Sequence, residues 1–250
     1  MTVPDQIAYM DAAARTSLGL EYKRRLLDAL DVRAGDRVLD IGCGPGTDLA
    51  RLADVVGPDG LVIGVDRDPG MLAEASRRLV DRPNVTLPTG DAQELPLTDA
   101  GVDRARTDRV LQHVIDPERV LAEIRRVLRP GGVLGMAEPD WDTLAVADDD
   151  VRTSRGFARF VADQVRHPTI GRQLVRWCVR TGFTVRSVEA MPVLFRDFRT
   201  ADLILGLRRN STRAVDAGEL SDAATGAWLS RLATGPVLAG FTLYLITVAA

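Results

Sequence analysis

Several residue types that often carry chemistry are scarce here. The chain has two histidines, two cysteines and a single lysine, Lys23, among its 32 basic residues. The near-total use of arginine reads as the coding bias of a GC-rich genome. Cys43 and Cys178 lie far apart, and a chain of 250 residues does not need a disulfide to fold. They suit a reducing compartment, so a cytoplasmic location is expected. Charge of one sign is also lacking: 35 acidic against 32 basic residues give a formal charge of −3. A protein that grips nucleic acid through phosphates carries a basic excess or stripe, so a nucleic-acid partner is not expected. Long apolar runs are missing too. The longest, Pro236 to Ala250, is broken by Gly240, Thr242 and Thr247 and falls short of the ~20 residues of a membrane span. It reads as a buried terminal strand, and no membrane association is expected. Met1 to Met10 has no basic segment followed by an apolar core, so no secretory signal is expected there. No linker, repeat or low-complexity tract divides the chain. One domain over 1–250 is expected, as a monomer or homodimer, with a cofactor-binding half at 32–139 and a substrate side at 140–250.

What is present is an alternation of short apolar runs with helical periodicity, the pattern of βαβ units. Strands are expected at Arg37–Ile41, Leu61–Val65, Asn84–Leu87, Val102–Thr107 and Gly132–Ala137. Helices are expected from about Thr47, from Pro69 behind an Asp68 N-cap, and over Pro117–Leu128. Farther on come a helix at Ile170–Thr181, a strand at Thr184–Val188, an interrupted helical block at about 198–234 and a last strand at Phe241–Val248. The helical block stands where a lid is expected. Phe195, Phe198, Leu203, Leu207 and Trp228 are its apolar candidates, although such helical-type spacing is more often core packing, and Tyr9 and Met10 are candidates for folding over a bound ligand.

The first strand runs into Asp40-Ile41-Gly42-Cys43-Gly44-Pro45-Gly46, and a helix follows. Such a turn suits a nucleotide-like ligand, because glycine lets the backbone come close and a helix start presents unpaired N–H groups. Asp66, at the end of the second strand, stands where an acid can accept both ribose hydroxyls. The spacing is G-x-G-x-G behind an acid, not the G-x-G-x-x-G of a dinucleotide site. A carboxylate at Asp40 would repel a pyrophosphate and attract an amino-acid ammonium, which favours S-adenosylmethionine over NAD.

Val38 to Gly46 resembles motif I of class I S-adenosylmethionine-dependent methyltransferases. Asp66 to Leu72 resembles the family's ribose and adenine segment, Gly90 to Pro96 its next motif, and Leu128 to Gly132 the turn before its fifth strand. The match is closest to the small-molecule branch that includes quinone methyltransferases. It implies an α/β, Rossmann-like seven-stranded sheet of order 3-2-1-4-5-7-6, with the last strand antiparallel, helices on both faces and a helical lid. It also implies S-adenosylmethionine as cofactor, with Asp40, Gly42, Cys43, Gly44 and Gly46 at the methionine end. Asp66 and Arg67 then lie by the ribose, Met71 against the adenine face, Asp91 and Ala92 at the adenine edge, and Thr107 at the close of the fourth strand. Beyond Asp140 the likeness is only in layout. No Asn-Pro-Pro-Tyr-type motif follows the fourth strand, which argues against methylation of adenine or glutamine amides.

The fourth strand reads Val102-Asp103-Arg104-Ala105-Arg106-Thr107, unusually polar for a strand covered on both faces. Either Arg104 and Arg106 pair with acids or reach solvent, or Arg106 faces the crevice at the strand's carboxyl end and holds an anionic group. The next segment supplies Gln112 and His113. Methyl transfer from an activated donor needs alignment and, for a hydroxyl acceptor, a proton acceptor; His113, with an ordinary pKa of about 6.5, is the candidate base. It could equally cap a helix or line the pocket. His167, in Arg166-His167-Pro168, reads as a loop residue with a possible lid contact. Trp141, after the fifth strand, is a candidate pocket wall beside Arg106 and Gln112, or else core packing. Asp140 and Asp142 lack a third ligand, so no metal is expected. The expected reaction is methylation of a small metabolite, at oxygen before nitrogen or carbon. The alternative is a protein of the same fold that senses the donor or runs a non-methylating reaction.

Overall fold

The computed structural model describes residues 2–250. Seven strands form one sheet: β1 (Arg37–Ile41), β2 (Leu61–Val65), β3 (Val85–Thr86), β4 (Val102–Asp108), β5 (Leu128–Val146), β6 (Thr184–Phe195) and β7 (Ala239–Ala249). Their order is β3-β2-β1-β4-β5-β7-β6, with β7 antiparallel to both neighbours. Between β1 and β5 the crossovers are α3 (Leu49–Val56), α4 (Pro69–Arg78) and α5 (Pro117–Val127). Ahead of the sheet come α1 (Val3–Arg15) and α2 (Ser17–Leu30). After β5 come α6 (Val151–Asp163) and α7 (Ile170–Arg180), and between β6 and β7 lie α8 (Phe198–Leu205), α9 (Leu207–Asp216) and α10 (Asp222–Thr234).

Local chemistry sets the helix starts. Asp68 accepts the amide of Gly70 at 2.8 Å with Pro69 in the first helical position, and Asp116 accepts that of Arg119 at 3.0 Å. Asp150, in the acidic run Asp148-Asp149-Asp150, caps α6 through the amide of Thr153 at 2.9 Å. One face of the sheet buries Ile41, Val65, Ala105, Leu134 and Val248 with Leu121 and Ile124 of α5 and Leu174 of α7. On the other side, Val38 and Val62 pack with Leu49, Leu52 and Val56 of α3, while Ala137, Leu243 and Leu245 pack with Phe157 of α6, Trp228 of α10 and Tyr22 and Leu26 of α2.

Two strands run longer than the apolar runs indicate. β5 continues through Pro139 and Trp141 to Val146, and β6 reaches Phe195, because β7 pairs with both along most of its length. Pro139 and Pro192 are tolerated there, although each costs the ladder a donor. Of the five residues expected to make an apolar lid, Phe195, Leu207 and Trp228 are buried in the core, Leu203 is exposed, and Phe198 lies under the Arg208 guanidinium at 4.4 Å. Helix phase explains the difference: the cavity faces Ile204, Leu205, Asn210 and Arg213 instead.

The polar fourth strand has a period-2 explanation. Arg104, Arg106 and Asp108 share one face of β4, and α2 supplies partners to Arg104 and Asp108. Arg104 Nε donates to the carbonyls of Leu30 and Asp31 at 3.0 and 3.1 Å, capping the carboxyl end of α2. Tyr22 donates its hydroxyl to Asp108 at 3.1 Å, and Lys23 Nζ donates to Asp108 at 2.7 Å. Ala105, on the opposite face, faces the core.

Candidate active site

At the carboxyl ends of β1 and β4 lies a cavity of about 360 Å³. Its floor begins with the glycine turn. Gly42 has φ +67°, and a Cβ there would stand 2.5 Å from Cγ2 of Val110. Gly46 has φ +76°, and a Cβ would meet Ala75 at 3.1 Å and Leu79 at 3.3 Å, so it lets the turn lie against α4. The amides of Gly42 and Cys43 are taken by the Val65 carbonyl at 2.8 and 3.1 Å. That of Gly44 donates to Oδ2 of Asp66 at 2.8 Å. Met10 closes over Gly44, and Tyr9 and Ala14 of α1 line the same cavity. Arg78 of α4 holds α1 there through two 2.8 Å bonds to Asp11.

Below the turn is a buried ionic network. Asp40 and Arg106 are directly opposite in the β1–β4 register, with Arg106 Nε 3.6 Å from Asp40 Oδ1. Arg106 also reaches Asp48 at 3.1 Å and Asp108 at 3.2 Å. Lys23 bridges the same two aspartates. Burial pushes the Asp40 carboxyl up to about 6, against the pull of Arg106. Asp108 is held well below the carboxylate range by Lys23, Arg109 and Arg106, which together outweigh its desolvation. Arg106 therefore pairs with acids and also lines the cavity. Its Nε and Nη1 are buried without a hydrogen-bond partner. A buried carboxyl beside orphaned guanidinium N–H groups suits a zwitterion, whose ammonium and carboxylate need one of each.

The segment after β4 is fixed from β5. Glu138 Oε1 accepts the amides of Val110 at 2.8 Å and Leu111 at 2.7 Å. Arg109 sits in the left-handed region at φ 58° and lines the cavity. Gln112 is buried, and its Oε1 accepts Trp141 Nε1 at 2.8 Å, while Trp141 packs on Phe241 with ring centroids 4.8 Å apart. His113 is exposed at the cavity rim. Its pKa is lowered, by desolvation first and then by the charges of Arg109 and Arg67. His167 braces this segment: its ring nitrogen meets the Val114 carbonyl at 3.0 Å and its amide donates to Gln112 O at 3.1 Å. That is a loop role, not a lid contact. Asp140 is buried and engaged by Arg172, with Nη2 at 2.6 Å.

The cavity thus gathers Asp40, Gly42, Cys43, Gly44, Arg106, Gln112, His113 and Trp141. Gly46, Asp66, Arg67, Met71, Asp91, Ala92 and Thr107 lie outside its lining. Asp66 is half-buried and its carbonyl accepts Gly90 at 3.1 Å, which brings the Asp91 segment alongside; Asp91 and Arg67 are exposed. Met71 is buried against the core side of α4, Ala92 packs at the edge of the core, and Thr107 is fully buried with its hydroxyl unpartnered. Sequence reasoning did not single out Lys23, Asp48 and Asp108. A sole lysine on an otherwise apolar helix face was the available signal, since a buried ammonium demands acids around it.

Residues 33–180 match the family model described as a methyltransferase domain. The chain belongs to that family. It is thereby a member of a methyltransferase family. Over 249 residues it is 50% identical to an uncharacterized 37.1 kDa protein in transposon Tn4556 of Streptomyces fradiae, spanning 99% of this chain and 72% of that one. Over 131 residues it is 42% identical to a demethylmenaquinone methyltransferase of Beutenbergia cavernae, covering 50% of this chain and 52% of that one. The chain thus spans about half the length of the demethylmenaquinone methyltransferases it matches. A crystal structure of an S-adenosylmethionine-dependent methyltransferase from Mesorhizobium loti shares the fold with a TM-score of 0.58 and 21% identity, covering 91% of this chain and 96% of that one. No helix among the described residues is long and apolar enough to cross a membrane.

Proposed function

We propose that this protein transfers a methyl group from S-adenosylmethionine to a hydroxyl of a small molecule, with His113 taking the hydroxyl proton. The observation that carries the reading is the convergence of the glycine turn, Asp40, Arg106 and His113 on one cavity. Asp40 and the orphaned N–H groups of Arg106 would hold the ammonium and carboxylate of the donor's methionine part. Asp66 would accept the ribose hydroxyls in exchange for the Gly44 amide, and Met71, Asp91 and Ala92 would border the adenine. When bound, the donor supplies an activated methyl, so one S–C bond breaks as one O–C bond forms.

The chain's own part is alignment and proton acceptance. The lowered pKa of His113 keeps its ring neutral at pH 7, ready to accept a proton. Glu138 and His167 fix the segment that carries it. Trp141 and Gln112 would form a rigid wall for the acceptor. The relative named for demethylmenaquinone methylation supports a small-molecule acceptor.

The test is formation of S-adenosylhomocysteine when the protein meets S-adenosylmethionine and a small-molecule extract. His113→Ala should reduce turnover by about 10²–10⁴-fold, the usual share of general-base catalysis, while leaving donor affinity within twofold or so. Unchanged turnover would remove His113 as the base. Donor binding with no product from any extract would favour a donor-binding protein without methyl transfer.

A further inference from the structure

The charges around the cavity are not evenly placed. Asp40, Asp48 and Asp108 are its lining carboxylates among the described residues, and all three belong to the network with Lys23 and Arg106 beneath the glycine turn. The wall built by α6, α8 and α9 carries Arg209 and Arg213 and no carboxylate. Arg213 is held by neutral partners. Its Nη2 donates to Gln164 Oε1 at 2.5 Å, its Nη1 reaches Asn210 Oδ1 at 3.4 Å, and its guanidinium lies 5.8 Å from the Phe160 ring centroid. Among the described residues no carboxylate pairs with it. Arg208 on the same helix, by contrast, pairs with Asp202 at 2.7 Å.

The same cavity also has apolar lining. Val161, Val165, Ile204 and Leu205 contribute aliphatic surface, and the Trp141 ring is locked by Gln112 and Phe241. A fixed aromatic face, aliphatic walls and an arginine without an anionic partner describe a pocket for a flat apolar body with an anionic end.

We propose that the acceptor is a small hydroxylated aromatic acid, its ring against Trp141 and its carboxylate at Arg213. This rests on the methyl-transfer reading and adds the substrate class. In the transfer the acid's hydroxyl gives its proton to His113 as its oxygen gains the methyl, while the carboxylate stays unchanged at Arg213. Planar bidentate recognition explains why an arginine at this wall suits a carboxylate.

The experiment is calorimetric titration of the full chain, with S-adenosylhomocysteine present, using 3,4-dihydroxybenzoate, salicylate and 4-hydroxycinnamate, each beside its primary amide. At least one acid should bind on the order of tenfold or more tightly than its amide. Arg213→Gln should erase that difference while leaving S-adenosylhomocysteine affinity unchanged, and Arg213→Lys should restore part of it. Arg213 is exposed, so these variants should fold, which circular dichroism checks. Equal binding of acids and amides, no binding of any acid, or an undiminished preference in Arg213→Gln would overturn the proposal. Methylation of a neutral acceptor with no acid bound would sink this inference and spare methyl transfer. Arg213-dependent acid binding with no methylated product would do the reverse.

Discussion

Glu138 accepts the Leu111 amide at 2.7 Å through one carboxyl oxygen, and its other oxygen is buried without any partner. Burial pushes this carboxyl up to about 8, against the lowering by the Leu111 and Val110 amides. The folded chain therefore binds a proton here that the unfolded chain releases at ordinary carboxylate pH. Stability from this group is full below the unfolded value of about 4.3 and is lost as pH rises toward 8. Thermal melts from pH 5 to 9 should show that decline. Glu138→Gln, which keeps the acceptor oxygen and cannot ionise, should flatten it. A wild-type curve that is flat or rises over that range contradicts the assignment.

The same residue holds the segment that carries His113. Glu138→Ala should cost about 1–3 kcal/mol for the two unsatisfied amides, read from urea denaturation. Turnover should fall further than the Gln variant's, because Gln preserves the segment. Equal turnover in both variants would show that Glu138 acts only on stability.

Asp40 is expected to meet the donor ammonium as a carboxylate, and burial raises its pKa to about 6. Affinity for S-adenosylmethionine should therefore weaken as pH falls through about 6 and level off above 7. Asp40→Asn should bind weakly at every pH with no such slope. A donor affinity independent of pH between 5 and 8 in the wild type would count against an ionic role.

Lys23 is buried between Asp48 and Asp108, and its pKa is raised by Asp108, Tyr22 and Asp48 despite the opposing cost of burial. Lys23→Met leaves those carboxylates with one cation fewer and should cost about 3–5 kcal/mol of stability. Lys23→Met combined with Asp108→Asn should recover part of that loss. If the double variant is as unstable as the sum of the two single ones, the residues are not coupled.

The strands β1 to β5, the crossover helices and the glycine turn were legible because each depends on short-range rules, whereas the strand order came only with the family resemblance. Buried parallel strands need continuous apolar runs, Asp68 and Pro69 mark a helix start, and positive φ at Gly42 and Gly46 demands glycine. The ends of β5 and β6 were not legible, since beyond Ala137 and Val188 the pairing with β7, not an apolar run, extends the strands, through Pro139 and Pro192. The arginines of β4 could be explained in two ways from sequence alone. The placement of α2 shows Arg104 at a helix end, and the β1–β4 register with the turn before α3 shows Arg106 among three aspartates. Arg213 lay in a helical block whose rotation no local pattern fixes, so the choice between lid and core for its apolar residues stayed open; Phe195, Leu207 and Trp228 proved to be core.

The measurement that bears most directly on the turn from Asp40 to Gly46 is calorimetric titration with S-adenosylmethionine and, separately, NAD. One S-adenosylmethionine per chain should bind, NAD should not, and Asp66→Ala should weaken the donor by about 1–3 kcal/mol. Tight binding of NAD with none of S-adenosylmethionine would contradict the account.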